Sequence, residues 1–379
     1  MRIAIMMRSA DEAGGIGVYA RNIVEEVMKL DRENTYILFY KSEKHLGRYS
    51  NYANCKEVLL PGGNKAVWDQ LTIPRAARQE QADLIFNPKF TVPLFTSCKT
   101  VMVVHGADWF VPPYDEVYTT VDNLYIKRVM PLYFRKADFI SSVSDYSTNG
   151  FIDVFPWCKN KIKTIYFGPN KIFQPITDQQ MLDTIRSRYD LPKDFILTVI
   201  RYDPGGRNTR KNFKGMAEAF SRYKKMGGRE KFVVVGRDCQ RYAEEHDLAA
   251  LGIEDDIIFP GFVPQADLPA FYNLAQLYLY TTIIEAFPIP TTEAMACGCP
   301  IVTSTGTGLE ELTHDVALAV DPLDSQAIAD AVKKVLDDEK LQQDMRERGF
   351  ERSRIFSWEK CAVETLAVFR KVMGEEKQG

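Results

Sequence analysis

Residues 281–302, TTIIEAFPIPTTEAMACGCPIV, decide how this chain folds. A short apolar, β-branched run leads to Glu285, a proline-containing turn follows, and a helical pattern begins with Glu293 inside its first turns. Pro290 suits the start of that helix, where a missing N–H costs no hydrogen bond. Gly298 and Pro300 mark a tight return from helix to strand. A helix N-terminus presents unpaired N–H groups and partial positive charge, which suits a diphosphate. A carboxylate accepts two hydrogen bonds from vicinal hydroxyls. Glu293 is therefore expected to hold a ribose diol and Glu285 the hydroxyls of a sugar. Two glutamates eight residues apart, taken alone, read as solvated charges on a loop and a helix. The packed run Ala294, Met295, Ala296 alters that reading, because a carboxylate beside a buried helix start needs a partner.

The same rhythm extends in both directions. Apolar runs at 2–7, 36–40, 57–60, 84–86, 100–104 and 139–142 read as buried strands, with helical patterns at 17–30 and 124–136. It restarts after residue 190, with strands at 195–200, 231–235, 257–259, 277–280, 300–302 and 318–320. Helices are predicted at 212–225, 239–251, 266–274, 291–297, 325–337 and 339–355. Residues 167–189, with Gly168, Pro169 and Pro175, read as the linker. The expected architecture is α/β, two Rossmann-like doubly wound domains at 1–175 and 176–357 that face a cleft. The segment 358–379 supplies a final helix returning to the first domain. Crevices at the carboxyl ends of the strands make that cleft the expected ligand site.

Length and composition agree. The 379 residues are too many for one ordinary core, and 45 % hydrophobic with 26 % charged residues is the balance of a globular protein. Seven scattered cysteines, with only Cys297 and Cys299 close together, predict reduced thiols rather than a zinc site. No apolar run is long enough to span a membrane, and the apolar start is too short for a secretory signal, so a cytoplasmic protein is expected. Residues 1–175 hold 22 Lys and Arg against 18 Asp and Glu, net +4, and the rest hold 26 against 33, net −7. A mildly basic first half favours an acidic or membrane-bound acceptor, and chance asymmetry explains it equally. No basic stripe of a nucleic-acid binder is present. The run YIKRVMPLYFRK, 125–136, mixes bulky apolar with basic residues; peripheral association with an anionic membrane is one reading, a core helix with solvated charges the other.

The run Glu285-Ala286-Phe287-Pro288-Ile289-Pro290-Thr291-Thr292-Glu293-Ala294-Met295-Ala296-Cys297-Gly298-Cys299-Pro300 resembles the signature of the retaining GT-B glycosyltransferases of glycosyltransferase family 4. That signature reads Glu-Gly-Phe-Gly-Leu-Pro-x-x-Glu-Ala-Met-Ala-x-Gly-x-Pro. The resemblance implies that Glu285 contacts the transferred sugar, Glu293 the ribose, and the backbone of Phe287, Pro288 and Ile289 the sugar and phosphate. Ala286 and Pro288 replace glycines, and Pro288 has no N–H to donate. The resemblance further implies that Arg201 and Lys211 bind the diphosphate. The insert DPGGRNT, 203–209, leaves Arg207 and Arg210 as alternatives to Lys211. Gly15 and Gly17 of the first strand–helix junction lie near the donor phosphate by the same resemblance, and Val263 near the nucleotide base. His105 ends a strand, a place more often structural; by resemblance it lies close to the transferred sugar, with Gly106 where family members have Asp.

No Asp-x-Asp triplet occurs, so no carboxylate clamp for a metal-bound diphosphate is predicted, and no cofactor is expected beyond the nucleotide-sugar donor itself. The implied reaction moves a hexose from a UDP- or GDP-linked donor to a glycan, lipid-linked or small-molecule acceptor with retained configuration. The leaving phosphate takes the acceptor proton in a front-face, oxocarbenium-like transition state, with no carboxylate nucleophile. An NDP-sugar epimerase of the same architecture and a non-catalytic sugar-nucleotide-binding protein are the alternatives. A nicotinamide enzyme fits less well, because Gly15-Ile16-Gly17 lacks the third glycine of the dinucleotide fingerprint.

Overall fold

The computed structural model describes residues 1–12, 14–110, 120–202 and 210–375. Two compact units divide them: Met1–Phe167 with the segment that begins at Ser357, and Gly168–Phe356.

The first unit is built on a seven-stranded sheet of β1 (Arg2–Met6), β2 (Thr35–Tyr40), β3 (Cys55–Leu59), β4 (Leu84–Asn87), β5 (Lys99–Val104), β6 (Phe139–Ser142) and β7 (Ile162–Thr164). Its order is β3-β2-β1-β4-β5-β6-β7, and every pairing is parallel. Parallel strands must be covered on both faces, and residues 3–6 and 36–40 are buried throughout. The helix Trp358–Met373 packs on the helix Gly15–Leu30 as part of this core. Ser357 caps it, accepting from Lys360 N at 3.0 Å. Trp358 stacks on Phe167 with centroids 4.9 Å apart, and Phe369 meets the edge of Phe86 at 5.2 Å.

The second unit carries β8 (Phe195–Val199), β9 (Lys231–Val235), β10 (Ile257–Gly261), β11 (Leu277–Tyr280), β12 (Ile301–Ser304) and β13 (Leu318–Val320). The order β10-β9-β8-β11-β12-β13 is again parallel at every pairing. From β8 the chain first builds outward through β9 and β10, then crosses to β11 and builds the other way. That reversal, between β8 and β11, is where doubly wound sheets bind ligands, outside the carboxyl ends of the strands. The first unit reverses in the same way between β1 and β4.

Two local readings change. Residues 167–189, read as linker, contain the helix Gln179–Arg188. Asp178 caps it by accepting from Met181 N at 3.1 Å, and Leu182 and Ile185 are buried. The helix predicted over 239–251 is two short pieces, Arg241–Glu245 and Leu248–Leu251. Extended His246 separates them, and Asp247 starts the second by accepting from Ala250 N at 2.9 Å. All seven cysteines are free thiols.

Candidate active site

The site grows from the reversal point of the second sheet. β8 runs into Ile200 and Arg201, and the turns after β9 and β10 close tightly beside it. A side chain at Gly236 would put its Cβ 1.8 Å from the Ile200 carbonyl, and Gly236 N–H bonds the Gly261 carbonyl at 3.0 Å. Only glycine fits there, and its φ of +151° is open to it. The Arg201 side chain is exposed, and its carbonyl accepts from Tyr242 Oη at 3.4 Å. Arg207 lies outside the described residues. Val263, after β10, is buried, next to Phe262, which is 63 % exposed under the Arg237 guanidinium.

The chain re-enters at Arg210, whose carbonyl accepts from Ile283 N at 2.9 Å. Asn212 follows in the left-handed region, buried, its amide donating to the carbonyls of Thr281 at 2.8 Å and Pro322 at 2.7 Å. These bonds clamp the Arg210–Asn212 turn to the loop after β11, so Lys211 reaches Glu285. The Lys211 ammonium ion-pairs with the Glu285 carboxylate and donates to Tyr280 Oη at 2.9 Å. Burial pushes the Glu285 carboxyl up, but Lys211 first and Arg210 next outweigh it and hold it below the ordinary glutamate value. Glu285 is therefore an anion at neutral pH, already facing a cation.

Glu293 has a different setting. It sits on the helix Ile289–Ala296, 6 % exposed, and accepts from Tyr272 Oη at 3.0 Å. Burial raises it to about 7, against the smaller lowering effect of the Tyr272 bond. The structure thus joins Glu285 to Lys211 and Tyr280, and gives Glu293 a separate partner.

The helix N-terminus is poor in donors. Pro288 is its cap and Pro290 lies in its first turn, so neither supplies an N–H, while Thr291 N–H is taken by the Pro288 carbonyl at 3.2 Å. Few amides are left free here, and Lys211, paired with Glu285, is the cation the structure places on this loop. Buried Phe287 packs edge-on to Phe356, with centroids 5.7 Å apart, and Ile289 is buried. The loop from Glu285 to Pro288 is pinned by a residue the sequence reading passed over. Gly308 N–H bonds the Glu285 carbonyl at 2.9 Å, and a Cβ there would stand 2.0 Å from the Ala286 carbonyl. Thr307, capping the helix Gly308–Thr313, was its one sequence signal.

In the first unit, the carboxyl ends of β1 and β4 are bridged by the ion pair of Glu12 with Lys89. Gly17 is required sterically, because its Cβ would lie 2.0 Å from the Glu12 carbonyl. Gly15 faces open space, and the positive φ belongs to Gly14 at +126°. His105 Nε2 is 2.8 Å from the Pro88 carbonyl, an acceptor only, so that nitrogen carries the proton and Nδ1 keeps its lone pair. Burial beside Tyr19 and Phe90 pushes the ring down to about 4, so His105 is neutral at physiological pH. The helix Thr120–Lys136 buries Met130, Tyr133 and Phe134 and exposes Leu124, Tyr125, Lys127, Arg128, Leu132 and Arg135. Among the described residues no helix is long and apolar enough to cross a membrane, and no three His, Cys, Asp or Glu cluster as metal ligands.

A partly buried ion pair thus stands at the switch point of a parallel sheet, beside a glutamate-bearing helix. Residues 191–352 match the family described as Glycosyl transferases group 1. The chain carries a glycosyl transferases group 1 domain. It is a glycosyltransferase by that domain. The domain's limits enclose β8 to β13 with Arg201, Lys211, Glu285 and Glu293. Over 300 residues the chain is 26 % identical to O-antigen chain mannosyltransferase B of Escherichia coli, covering 78 % of this chain and 76 % of that protein. It is 25 % identical over 254 residues to the serotype-specific mannosyltransferase WbdA of Escherichia coli, covering 65 % of this chain but only 30 % of that longer protein. The fold is similar to that of sucrose-phosphate synthase from Thermosynechococcus elongatus, with TM-score 0.77 and 19 % identity over 99 % of this chain and 100 % of the other. Two Rossmann-like units of this kind make up the GT-B fold.

Proposed function

We propose that the chain transfers a hexose, of the mannose type, from a nucleoside diphosphate sugar to a glycan or lipid-linked acceptor, with retained configuration and without a metal ion. The Lys211–Glu285 pair carries this reading. Lys211, with Arg210 next to it in the chain and also acting on Glu285, supplies positive charge for a leaving diphosphate, the electrostatic task that a metal performs in other sites. Glu285, held ionised by those cations, is an acceptor for the hydroxyls of the transferred sugar and for the positive charge that develops on its ring. Glu293, titrating near neutrality, can accept from a ribose hydroxyl or donate to it. The leaving phosphate itself takes the acceptor's proton, so neutral His105 is not needed as a base.

The mannose assignment rests on the names of the sequence relatives. The exposed apolar and basic face of the helix Thr120–Lys136 supports work at a membrane surface, the cytoplasmic one, where lipid-linked acceptors present their glycans. Acceptor choice then lies in the loops of the first unit.

The test is proton NMR of the reaction with GDP-mannose, and in parallel UDP-glucose, in the presence of a chelator and a mannose-terminated oligosaccharide. The expected product carries an α-linked sugar from the α-linked donor. A β-linked product, or turnover only with added Mg²⁺ or Mn²⁺, contradicts the reading; consumption of donor into a second NDP-sugar without any acceptor points to an epimerase.

A further inference from the structure

We infer that Tyr280 is a positioning residue of this site, one that fixes which oxygen of Glu285 faces the donor sugar; the inference rests on the transferase reading above. Tyr280 is the last residue of β11 and is 2 % exposed. Its hydroxyl stands between the two charged groups, 2.9 Å from Lys211 Nζ and 3.3 Å from Glu285 Oε2. A lysine ammonium only donates, so the tyrosine oxygen accepts from it. The single Tyr280 O–H is then committed to the carboxylate.

Both bonds, from Lys211 and from Tyr280, converge on Oε2. Oε1 has no hydrogen-bond partner among the described residues and is left to a ligand. Two donors on one oxygen stop the carboxylate from rotating, and a carboxylate that cannot rotate meets a sugar hydroxyl in one geometry. The Tyr280 ring is itself fixed. It stacks on Tyr278 with centroids 5.6 Å apart and planes 14° apart, and its carbonyl accepts from Thr303 Oγ1 at 3.2 Å. The Lys211 ammonium also lies 5.5 Å from the ring centroid. Tyr278, two residues earlier on the same face, is fully buried with its hydroxyl unpartnered among the described residues. It provides the control: the same ring, the same strand, no polar task.

The experiment compares Tyr280→Phe with Tyr278→Phe, and with Glu285→Gln, using whichever of GDP-mannose and UDP-glucose the wild-type chain turns over. Tyr280→Phe keeps the ring and its stack. It is expected to lower kcat about ten- to hundredfold, the range for loss of one hydrogen bond to a charged group. Affinity for the nucleoside diphosphate alone stays within about twofold. Without the tyrosine O–H the Glu285 carboxyl is less stabilised as an anion, so the acid limb of the kcat–pH profile moves to higher pH. Tyr278→Phe is expected to keep wild-type kcat and profile. If Tyr280→Phe keeps kcat and the acid limb while Glu285→Gln is inactive, Tyr280 has no positioning role and the site reading stands. If Tyr280→Phe and Tyr278→Phe lose activity alike, with equal falls in Tm, the role is packing and the inference is overturned. If Glu285→Gln retains full turnover, the site reading fails and takes the inference with it.

Discussion

Lys211→Ala is expected to lower kcat/KM for the nucleotide sugar by about 10²–10³-fold, the range seen when one preorganised charge is removed from a transition state. The lost ammonium serves two functions. On the proposed reading it faces the leaving diphosphate, and in the structure it neutralises Glu285, whose side chain is only 14 % exposed. In the folded wild type Lys211 and Arg210 hold Glu285 below its unfolded value. A depressed carboxyl contributes stability that is fully present above the unfolded-state value and is lost as pH falls through the folded-state value. Without Lys211, burial is the dominant influence on Glu285 and its carboxyl rises. The variant is therefore expected to be less stable than wild type by about 2 kcal/mol at pH 7, between the values for exposed and fully buried pairs, because this pair is partly exposed. That gap narrows as pH falls through the ordinary glutamate range and closes only below the lowered folded-state value of Glu285, where the carboxyl is protonated in folded and unfolded chains alike. Urea denaturation at pH 7 and pH 4 measures it, and an equal gap at both values would contradict the assignment of the charge to Glu285.

Gly308→Ala, which alters a residue touching only the backbone of the Glu285 loop, is expected to be nearly as damaging to turnover. Helical backbone accepts alanine readily at the start of a helix, so conformational preference does not forbid the change. Space does. The new Cβ would stand 2.0 Å from the Ala286 carbonyl and 2.9 Å from that of Glu285, and both obstacles are backbone atoms that cannot swing aside. Either the helix Gly308–Thr313 retreats or the Glu285 loop does, and the hydrogen bond from Gly308 N to Glu285 O breaks in both cases. A loss of about 3 kcal/mol, the upper end for overpacking, is expected in urea. A displacement of Glu285 by about 1 Å is enough to lower kcat about 10²-fold. A Gly308→Ala chain of wild-type stability and turnover would mean that the loop is not held by this contact.

Much of this architecture is legible in the chain because it depends on local periodicity. All twelve strands of the sequence reading have counterparts, since runs such as 2–6, 36–40 and 231–235 are apolar on both faces and short. What escaped was either too short or too polar to carry a period. β7 has three residues, the helix Asp145–Val154 reads DYSTNGFIDV, and the helix Gly308–Thr313 has six residues. The Gln179–Arg188 helix was hidden by the prolines and glycine before it.

The site divides in the same way. Glu285, Glu293 and Lys211 were legible because one contiguous motif and one strand–helix junction carry them. Tyr280 and Tyr272 were not, because their partners are defined by folding: Lys211 and Tyr280 are 69 residues apart in the chain, and Tyr272 and Glu293 are 21 apart. Gly308 reaches Glu285 across a loop, and nothing in its own neighbourhood announces the close approach. The donor-poor helix start also needed the structure, since Pro288 and Pro290 are visible in the sequence but the use of Thr291 N–H is not.

The second unit is expected to bind a nucleoside diphosphate through side-chain cations, Lys211 foremost, with no metal. Isothermal titration of the wild-type chain and Lys211→Ala with UDP, GDP and ADP, in a chelating buffer, tests it most directly. One of the three is expected to bind the wild type in the micromolar range and to bind Lys211→Ala at least tenfold more weakly. Binding that appears only after Mg²⁺ is added, or that Lys211→Ala leaves unchanged, would contradict this expectation.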